Sequence, residues 1–364
     1  MFTLCNSTQP RSRHERASQA WVAQRLASTL GWRFGGEHGQ RRSPVRPYFV
    51  PDETLVADQA ARLGIDSEDD LFGGVVPHPF VASKVITHPL PSPDTAAPEG
   101  WSHGLSTALA DAVLPGFSVF DPAAIEPAGQ RLLALGGALR LKEPQARGGL
   151  GQYRVANLEA LRSLAATLEP DAVRRDGIVL ELNLEHATTC SVGEIRVGGR
   201  RLAYLGVQRQ AGDRRGNPVY AGSSLRVVRG GLDALQAVAS GAAEREALRC
   251  ARIYDAAVAA AWPGFFASRR NYDVLSGLDA QGRWRCGVLE QSWRLGGASP
   301  AEIIALAAFE QAGAAQALEV SCHESHDPAH LAPAAAQVHF HDPSATHGPL
   351  LKYAQLEDPH GHPA

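Results

Sequence analysis

The stretch RNYDVLSGLDAQGRWRCGVLEQSWR (residues 270–294) contains two strand-like runs separated by a turn sequence. The runs flank the tetrapeptide from Asp279 to Gly282, whose composition is typical of a turn, so the pattern predicts an antiparallel hairpin. A tight turn at this point would place Asp273 and Glu290 across from each other, within a residue or two. We therefore expect one sheet surface that holds two carboxylates.

The second strand of this hairpin carries further polar side chains. Because successive side chains of a strand point to opposite faces, Glu290, Ser292 and Arg294 are predicted to share one face. The other face is then expected to hold Leu289, Gln291 and Trp293. Carboxylate and hydroxyl oxygens suit Mg²⁺, and a neighbouring arginine could stabilise charge on a phosphoryl or acyl phosphate group. An exposed sheet face with an ordinary carboxylate–arginine pair is the alternative interpretation.

Two earlier segments could bind a nucleotide. In LKEPQARGGLGQ (residues 141–152), a strand ends at Lys142 and a glycine-rich loop follows. The glycines of this loop are Gly148, Gly149 and Gly151. They would let backbone N–H groups approach phosphates, although the loop is neither a P-loop nor a dinucleotide fingerprint. The apolar run GIVLELNLE (residues 177–185) could lay its backbone edge along an adenine ring. A plain turn and a plain core strand are the alternatives.

The composition indicates a globular protein of 364 residues, long enough for two or three subdomains with cores of their own. Its 35 Lys and Arg residues and 38 Asp and Glu residues give a net charge of −3 and are scattered along the chain. Without a basic patch, neither nucleic acid nor a membrane surface is an expected partner. The N-terminal residues carry charge where a secretory signal is apolar, and no run approaches a membrane span. A cytoplasmic location is therefore predicted.

Cysteine and histidine occur at spacings that fit no standard disulfide framework or zinc finger. The cysteines, which we expect to be reduced and buried, are Cys5, Cys190, Cys250, Cys286 and Cys322. Residues 321–364 are rich in histidine and proline and are predicted to form a solvated, partly irregular tail. Zinc binding is the alternative, with ligands from Cys322, His323, His326, His330, His339, His341 and His347. His78 and His88, which flank Lys84, are expected to cap loops or bond to backbone, with phosphate contact as the alternative.

Helix-like and strand-like segments alternate along the chain, which predicts an α/β or α+β fold. Helical periodicity is found at residues 14–30, 54–63, 158–168, 232–262 and 301–318. Strand-like runs cover residues 139–145, 177–185, 191–199, 200–210, 270–277 and 285–293. Residues 1–75 are expected to form a small N-terminal α/β domain, and residues 88–104 a proline-rich loop.

The order of these motifs resembles the ATP-grasp superfamily, which includes biotin carboxylase and D-alanine–D-alanine ligase. In that pattern an early lysine, a second lysine before a glycine-rich lid, a glutamate-containing hinge and a late Glu-x-Asn bind ATP and its metals. The match spans residues 76–297, and the chain as a whole resembles an uncharacterised bacterial biotin-carboxylase-like family. The resemblance implies an ATP-grasp region at 76–320, with a lid subdomain at 135–190, a catalytic subdomain at 190–320 and a pre-ATP-grasp domain before them.

The resemblance also implies roles for individual residues. The nucleotide site would be formed by Lys84, Lys142, Gly148, Gly149, Gly151, Glu181, Asn183 and Leu184. The metal site, for Mg²⁺ or Mn²⁺, would be formed by Asp273, Glu290 and Ser292. The segment from Glu290 to Arg294 matches the Glu-x-Asn-x-Arg of biotin carboxylase except that Ser292 offers a shorter hydroxyl in place of the amide. Lys142 and Arg294 would be the catalytic residues.

The reaction implied by the resemblance begins with attack of a small-molecule carboxylate on the γ-phosphate of ATP. An amine or another nucleophile would then open the acyl phosphate, so an ATP-grasp-type ligase is predicted. The alternatives are biotin-carboxylase-type activity, with the biotin on a partner chain, and a degenerate ATP-binding protein without turnover. Residues 208–224 are the expected substrate wall, where Arg209, Arg214 and Arg215 could clamp a carboxylate. Formation of a homodimer is left open.

Overall fold

The computed structural model of the protein describes residues 1–7, 11–39, 46–146, 151–212, 218–311, 316–344 and 349–357. The α-helices are α1 (Arg13–Leu30), α2 (Ala57–Leu63), α3 (His103–Leu109), α4 (Ile125–Leu133), α5 (Leu158–Ala165), α6 (Pro170–Asp176), α7 (Ala242–Ala261) and α8 (Ser299–Gln311). Short 3₁₀ helices cover Pro79–Ala82, Lys84–Thr87, Pro122–Ala124 and Leu232–Ala237.

The strands of the first half are β1 (Phe2–Leu4), β2 (Phe49–Pro51), β3 (Leu55–Val56), β4 (Gly74–Val76), β5 (Gly116–Val119), β6 (Leu139–Lys142), β7 (Gln152–Val155) and β8 (Ile178–Leu182). Those of the second half are β9 (Glu185–Val197), β10 (Arg200–Gly212), β11 (Pro218–Arg229), β12 (Phe266–Ala267), β13 (Arg269–Leu278), β14 (Trp284–Ser292), β15 (Ala317–Ser325), β16 (Gln337–Asp342) and β17 (Leu350–Leu356).

The largest sheet has eight antiparallel strands in the order β14-β13-β9-β10-β11-β15-β17-β16. A second antiparallel sheet has the order β5-β8-β6-β7, and two small sheets have the orders β12-β4-β3 and β1-β2. Hydrophobic cores cover both faces of the large sheet: α7 packs on one face, and α1 and α8 pack on the other. The mixed α/β fold predicted from the sequence is confirmed.

Helix α1 begins and ends as the sequence predicts. Ser12 accepts a hydrogen bond from the backbone of Glu15, and Glu15 accepts one from the backbone of Ser12, so the first turn is closed by a capping box. Gly31 ends the helix in the left-handed conformation, at φ 69°, which glycine adopts without steric cost. Val22 and Leu26 are fully buried against the large sheet.

The second predicted helix starts later than expected. The sequence predicts one helix over residues 54–63, but α2 begins at Ala57. Leu55 and Val56 instead pair with Val75 and Val76 in a short parallel ladder. Tertiary pairing therefore overrides the helical periodicity of this segment, since two buried strands need each other's backbone hydrogen bonds.

Two long helical predictions also end differently. Residues 232–262 contain a 3₁₀ helix and then α7, because the Ser240 backbone and hydroxyl donate to Glu244 and start a new helix at Ala242. Residues 301–318 contain α8, which ends at Gln311, and the first residues of β15. The prediction is therefore wrong at residues 317–318, while residues 312–315 lie outside the described part of the chain.

The C-terminal region is part of the large sheet, so the expected irregular tail is corrected. Strand β15 pairs with β11, β17 pairs with β15, and β16 forms the edge. Val320, Cys322 and Ala354 from these strands are buried in the core beneath α1 and α8. Within the described residues, no helix has the length and apolar character needed to cross a membrane.

The four-stranded sheet packs on α4, α5 and α6 and has a hydrophobic core of its own. It includes most of the segment predicted as a lid, together with β5 and α4, which precede that segment. Lys142 pairs with Val179, and Arg140 pairs with Glu181, so the polar residues of β6 and β8 are neighbours in this sheet. The predicted domain limits themselves remain predictions.

Candidate functional site

The site lies where the four-stranded sheet meets the β13–β14 hairpin. Leu182 and Leu184, at the end of β8, form a small apolar cluster with Leu114, and Leu275 and Leu289 of the hairpin pack against it. The 3₁₀ helix Lys84–Thr87 contacts β5, β8 and β14, so it bridges the two sheets. Polar side chains from all three parts meet around this junction.

A buried chain of three polar side chains lies on the four-stranded sheet. The Lys142 ammonium donates to Glu181 Oε1 at 2.6 Å, and His88 Nε2 lies 2.9 Å from Glu181 Oε2. Each of the three residues is at most 2 % exposed. Gly116 lies against the ring of His88, and a Cβ at that position would come within 2.7 Å of it. A glycine there lets the backbone approach the histidine closely.

Glu181 is ionised because of its two partners. Burial alone would raise the pKa of this carboxyl, but the Lys142 ammonium and the His88 hydrogen bond lower it to about 2. The expectation that His88 caps a loop or bonds to backbone was wrong, since its partner is this carboxylate. No local sequence signal could reveal the contact, because the two residues come from segments far apart in the chain.

Lys84 connects the hairpin to the loop that follows β6. Its ammonium lies 2.6 Å from Glu290 Oε2 and donates to the Ala146 carbonyl oxygen at 2.9 Å. The lysine is 3 % exposed, whereas the Glu290 side chain is 31 % exposed. Lys84 is thus buried, whereas the carboxylate that it contacts is partly exposed to solvent.

Asp273 and Glu290 are directly opposite each other, as the hairpin pattern predicts. Asp273 accepts hydrogen bonds from Ser191 Oγ at 3.2 Å and Asn271 Nδ2 at 2.8 Å, and Gln208 donates to Ser191 Oγ at 2.9 Å. Burial and the charge of Glu290 raise the pKa of Asp273 against these hydrogen bonds. Burial also raises the pKa of Glu290, but the positive charges of Lys84, Lys142 and Arg294 lower it overall. Lys84 has the largest effect of the three.

The hairpin contains a β-bulge that the sequence pattern does not reveal. Asp273 pairs with Glu290 but Val274 pairs with Val288, so Leu289 is the extra residue of β14. Leu289 packs in the apolar cluster at the junction of the sheets. Its predicted place on the same face as Gln291 was therefore wrong.

Gln291 and Trp293 lie on the α7 side of the large sheet. Gln291 Nε2 donates to the carbonyl oxygens of Val81 and Ser83, and its Oε1 accepts from Tyr254 Oη at 3.0 Å. The amide therefore anchors β14 to the segment that leads into Lys84.

Ser292 and Arg294 occupy the end of β14. Ser292 pairs with Asn271, next to Asp273 and Glu290. The Arg294 Nε atom lies 3.5 Å from Glu53 Oε2 of the N-terminal unit, and its Nη1 donates to the Leu295 carbonyl oxygen at 2.9 Å. Arg294 is thus close enough to lower the pKa of Glu290, while it also contacts the N-terminal unit.

A buried ion pair beneath this strand end was missed by the sequence interpretation. Arg269 and Glu302 of α8 are 1 % and 0 % exposed and form two hydrogen bonds of 3.0 and 2.7 Å. Arg269 also donates to the carbonyl oxygens of Ser292 and Arg294. Tyr204 donates to Glu302 at 2.8 Å. The pair therefore fixes the backbone that carries the two predicted site residues.

The hinge and the loop of the predicted nucleotide site are partly described. Asn183 Oδ1 accepts from Arg140 Nη2 at 2.9 Å, and its Nδ2 donates to Glu185 at 3.1 Å. Gly151 has φ 60°, and a Cβ there would lie 2.5 Å from the Cβ of Ala146. Gly148 and Gly149 lie outside the described residues.

The predicted substrate wall is part of a long hairpin formed by β10 and β11. Arg209 donates to Ser224 Oγ and to the Cys322 carbonyl oxygen, and it lies beside His323. Its guanidinium is therefore held by the sheet. Arg214 and Arg215 lie outside the described residues.

The histidine and cysteine residues considered as zinc ligands do not form a metal site in the described part of the chain. In the described part of the chain, no three His, Cys, Asp or Glu side chains are placed to share a metal ion. His347 lies outside that part. His323 and His330 instead stack on Tyr353. Cys5 is exposed, which corrects the expectation that the cysteines are buried, whereas Cys250 and Cys322 are buried.

A cavity of about 720 Å³ adjoins the loop after β6. Its lining includes Arg11 near the start of α1, and Glu143, Ala146 and Gly151 beside Lys142. The cavity therefore separates the N-terminal unit from the tip of the four-stranded sheet.

Comparison with known proteins gives a family and a fold. Residues 3–354 match the model of a family described as "Protein of unknown function (DUF3182)". A biotin carboxylase–β,γ-ATP complex from Campylobacter jejuni superposes with a TM-score of 0.53 and 12 % identity, covering 98 % of this chain and 87 % of that one. Carboxyaminoimidazole ribonucleotide synthase from Aspergillus clavatus, complexed with ATP, has a TM-score of 0.53 and 11 % identity, covering 98 % and 93 %. No curated protein sequence matches significantly. Both solved structures are ATP-grasp enzymes, so the predicted ATP-grasp fold is confirmed.

Proposed function

This chain belongs to the DUF3182 family of proteins of unknown function, and we propose that it is an ATP- and Mg²⁺-dependent ligase. It would activate a small-molecule carboxylate as an acyl phosphate, which an amine or another nucleophile then attacks. Support at the level of the fold comes from the two ATP-grasp enzymes, both of which are complexes with ATP or a related nucleotide.

The observation that carries the proposal is the convergence of three cationic side chains on a carboxylate pair. Lys84, Lys142 and Arg294 all act on the charge of Glu290, and Asp273 is the residue directly opposite it. A metal–triphosphate complex presents anionic oxygens and a cation side by side. The arrangement of cationic and anionic side chains at the junction of the two sheets is complementary to such a ligand.

The carboxylate pair fits a divalent cation. Burial first, and then the charge of Glu290, raises the pKa of Asp273, so the two carboxylates repel each other and a bound cation would relieve this repulsion. Mg²⁺ usually takes one or two protein carboxylates and completes its shell with phosphate oxygens and water. Asp273 and Glu290 would hold it, with the Ser292 hydroxyl as a neutral neighbour. Bound Mg·ATP would supply the phosphoryl group that activates the substrate carboxylate.

The residues of the chain would act mainly by positioning charge. Glu181 orients Lys142 and Glu290 orients Lys84, so both ammonium groups are held in place before a nucleotide binds. Arg294 would stabilise negative charge as it develops on the transferred group. The Arg269–Glu302 pair holds the backbone of this strand end in place.

The substrate would enter through the cavity between the N-terminal unit and the tip of the four-stranded sheet. Its volume of about 720 Å³ is within the range of small-molecule sites. Arg11 lines it with a side chain that is 9 % exposed and lies 3.5 Å from Asp52. This guanidinium is a candidate partner for a substrate carboxylate.

Calorimetry with Mg·ATP tests the proposal directly. We expect saturable binding that depends on Mg²⁺ and is lost or strongly weakened in Glu290→Gln. Glu159→Gln, which changes an exposed glutamate of α5, is the matched control and should bind as the wild type does. ADP release should then be screened against pooled carboxylic acids and amines. Absence of saturable binding by the folded wild-type protein would reject the proposal.

A non-catalytic ATP-binding protein is the second candidate, and Ser292 is the observation that favours it. This hydroxyl is shorter than the amide found at the corresponding position of biotin carboxylase. If Mg·ATP binds but no substrate pool stimulates ADP release, Ser292→Asn should be assayed in the same screen. Turnover gained by that variant would assign the missing activity to this position.

A further inference from the structure

Two cysteines from distant parts of the chain are in contact. Cys250 of α7 and Cys286 of β14 lie in the same hydrophobic cluster where α7 packs on β14, and the two thiols influence each other's pKa. A second contact supports this placement, because Tyr254, one helical turn after Cys250, donates to Gln291 of the same strand at 3.0 Å. Helix α7 therefore packs along β14 in a way that brings the two sulfur atoms together.

The surroundings of the pair favour loss of the Cys250 proton over loss of the Cys286 proton. Arg249 Nη2 lies 3.8 Å from the Cys250 sulfur. The hydrogen bond from Cys286, helped by the Arg249 charge, lowers the pKa of Cys250 against the effects of burial and Glu246. The same hydrogen bond and burial raise the pKa of Cys286. A thiolate beside a protonated thiol is the arrangement that oxidation to a disulfide requires.

We propose that Cys250 and Cys286 are a redox-sensitive pair that forms a reversible disulfide on exposure to hydrogen peroxide. The Cys250 thiolate attacks one peroxide oxygen, the O–O bond breaks, and the departing hydroxide takes up a proton to leave as water. The resulting sulfenic acid is attacked by the Cys286 sulfur, the S–O bond breaks, and a second water leaves with the Cys286 proton. Both sulfurs are oxidised, and the peroxide is reduced to two waters.

A small oxidant can approach the pair from one edge of the sheet. Cys250 is fully buried, but Cys286 is half-buried and follows Trp284 and Arg285, where β14 begins. The Arg249 guanidinium is 43 % exposed, so the cationic side of the pair also faces solvent. The disulfide would fasten α7 to the strand that carries Glu290.

Thiol mapping of the full-length protein tests the proposal. The reduced protein is treated with hydrogen peroxide, quenched with an alkylating reagent under denaturing conditions, and analysed by peptide mass spectrometry. We expect a peptide that links Cys250 to Cys286, with a mass lower by two hydrogen atoms than that of the two reduced peptides together. Two thiols should no longer be alkylated, and dithiothreitol should restore both. Cys5→Ser should retain the linked peptide, because Cys5 is remote and exposed, whereas Cys286→Ser should abolish it.

Two results would overturn the proposal. One is that Cys250 and Cys286 both remain alkylatable under conditions that oxidise the exposed Cys5. The other is a linked peptide that joins Cys286 to Cys190, the third cysteine near the pair. If Cys286→Ser does not fold, the wild-type peptide map decides the question by itself.

Discussion

At the scale of single residues, Glu181 is the acceptor shared by two buried basic side chains. It is 1 % exposed and bonded to both Lys142 and His88. We predict that Glu181→Gln lowers the free energy of unfolding by roughly 3–5 kcal/mol, since it leaves a buried ammonium without its counterion. Urea denaturation at neutral pH measures the effect. Glu159→Gln is the control, and equal unfolding midpoints for the two variants would contradict the prediction.

The same carboxylate should make stability depend on acid. Its pKa is lowered from 4.5 to about 2 in the folded protein, so between these values the unfolded chain binds more protons than the folded one. The stabilisation is fully present above the unfolded pKa and is lost as the pH falls through the folded pKa. We therefore expect the difference between wild type and Glu181→Gln in urea midpoint to shrink between about pH 6 and about pH 3. A difference that stays constant or grows over this range would show that the pair does not titrate as described.

At the scale of elements, the β13–β14 hairpin depends on a close backbone approach. A Cβ at Gly287 would lie 2.6 Å from the Leu114 backbone nitrogen, and Val288 donates to the Ala112 carbonyl oxygen at 2.8 Å. We predict that Gly287→Ala destabilises the protein by about 1–3 kcal/mol, because backbone atoms must move to make room. Gly264→Ala is the matched control, since a Cβ there meets no atom within 4 Å. Thermal denaturation distinguishes the two variants, and equal midpoints would show that this segment adjusts freely.

The helices and strands of the site segments were predictable to different degrees. Local signals sufficed for α1, because the helical periodicity at residues 14–30 agrees within one residue with the observed helix. They also sufficed for the hairpin, where a turn tetrapeptide separates two strand-like runs. They failed at Leu55 and Val56, whose helical pattern is overridden by pairing with β4. Strand pairing of this kind depends on a partner that no local window contains.

At the scale of the whole molecule, strands β15 to β17 complete the large sheet. Their removal would expose the edge of β11 and part of the core beneath α1 and α8. We predict that a chain ending at residue 316 is insoluble or lacks cooperative unfolding, whereas a chain ending at Glu357 unfolds like the full-length protein. Size-exclusion chromatography and calorimetric unfolding check this outcome. A monomeric, cooperatively folded product ending at residue 316 would show that the protein folds without these three strands.

The order of the motifs along the chain determined the fold and much of the proposed site. Lys84, Lys142 and Glu290 are predicted from their order along the chain, and the structure pairs Lys84 with Glu290 and Lys142 with Glu181. The pairing of Asp273 with Glu290 followed from strand alternation and the turn, because register in a hairpin is set locally.

Contacts between distant segments were decided only by the tertiary structure. They include the His88–Glu181 bond, the Arg269–Glu302 pair and the meeting of Cys250 with Cys286. Each joins elements through the packing of sheets and helices. Periodicity in a sequence reports which face of an element is buried, but the partner on that face depends on how whole elements pack in three dimensions.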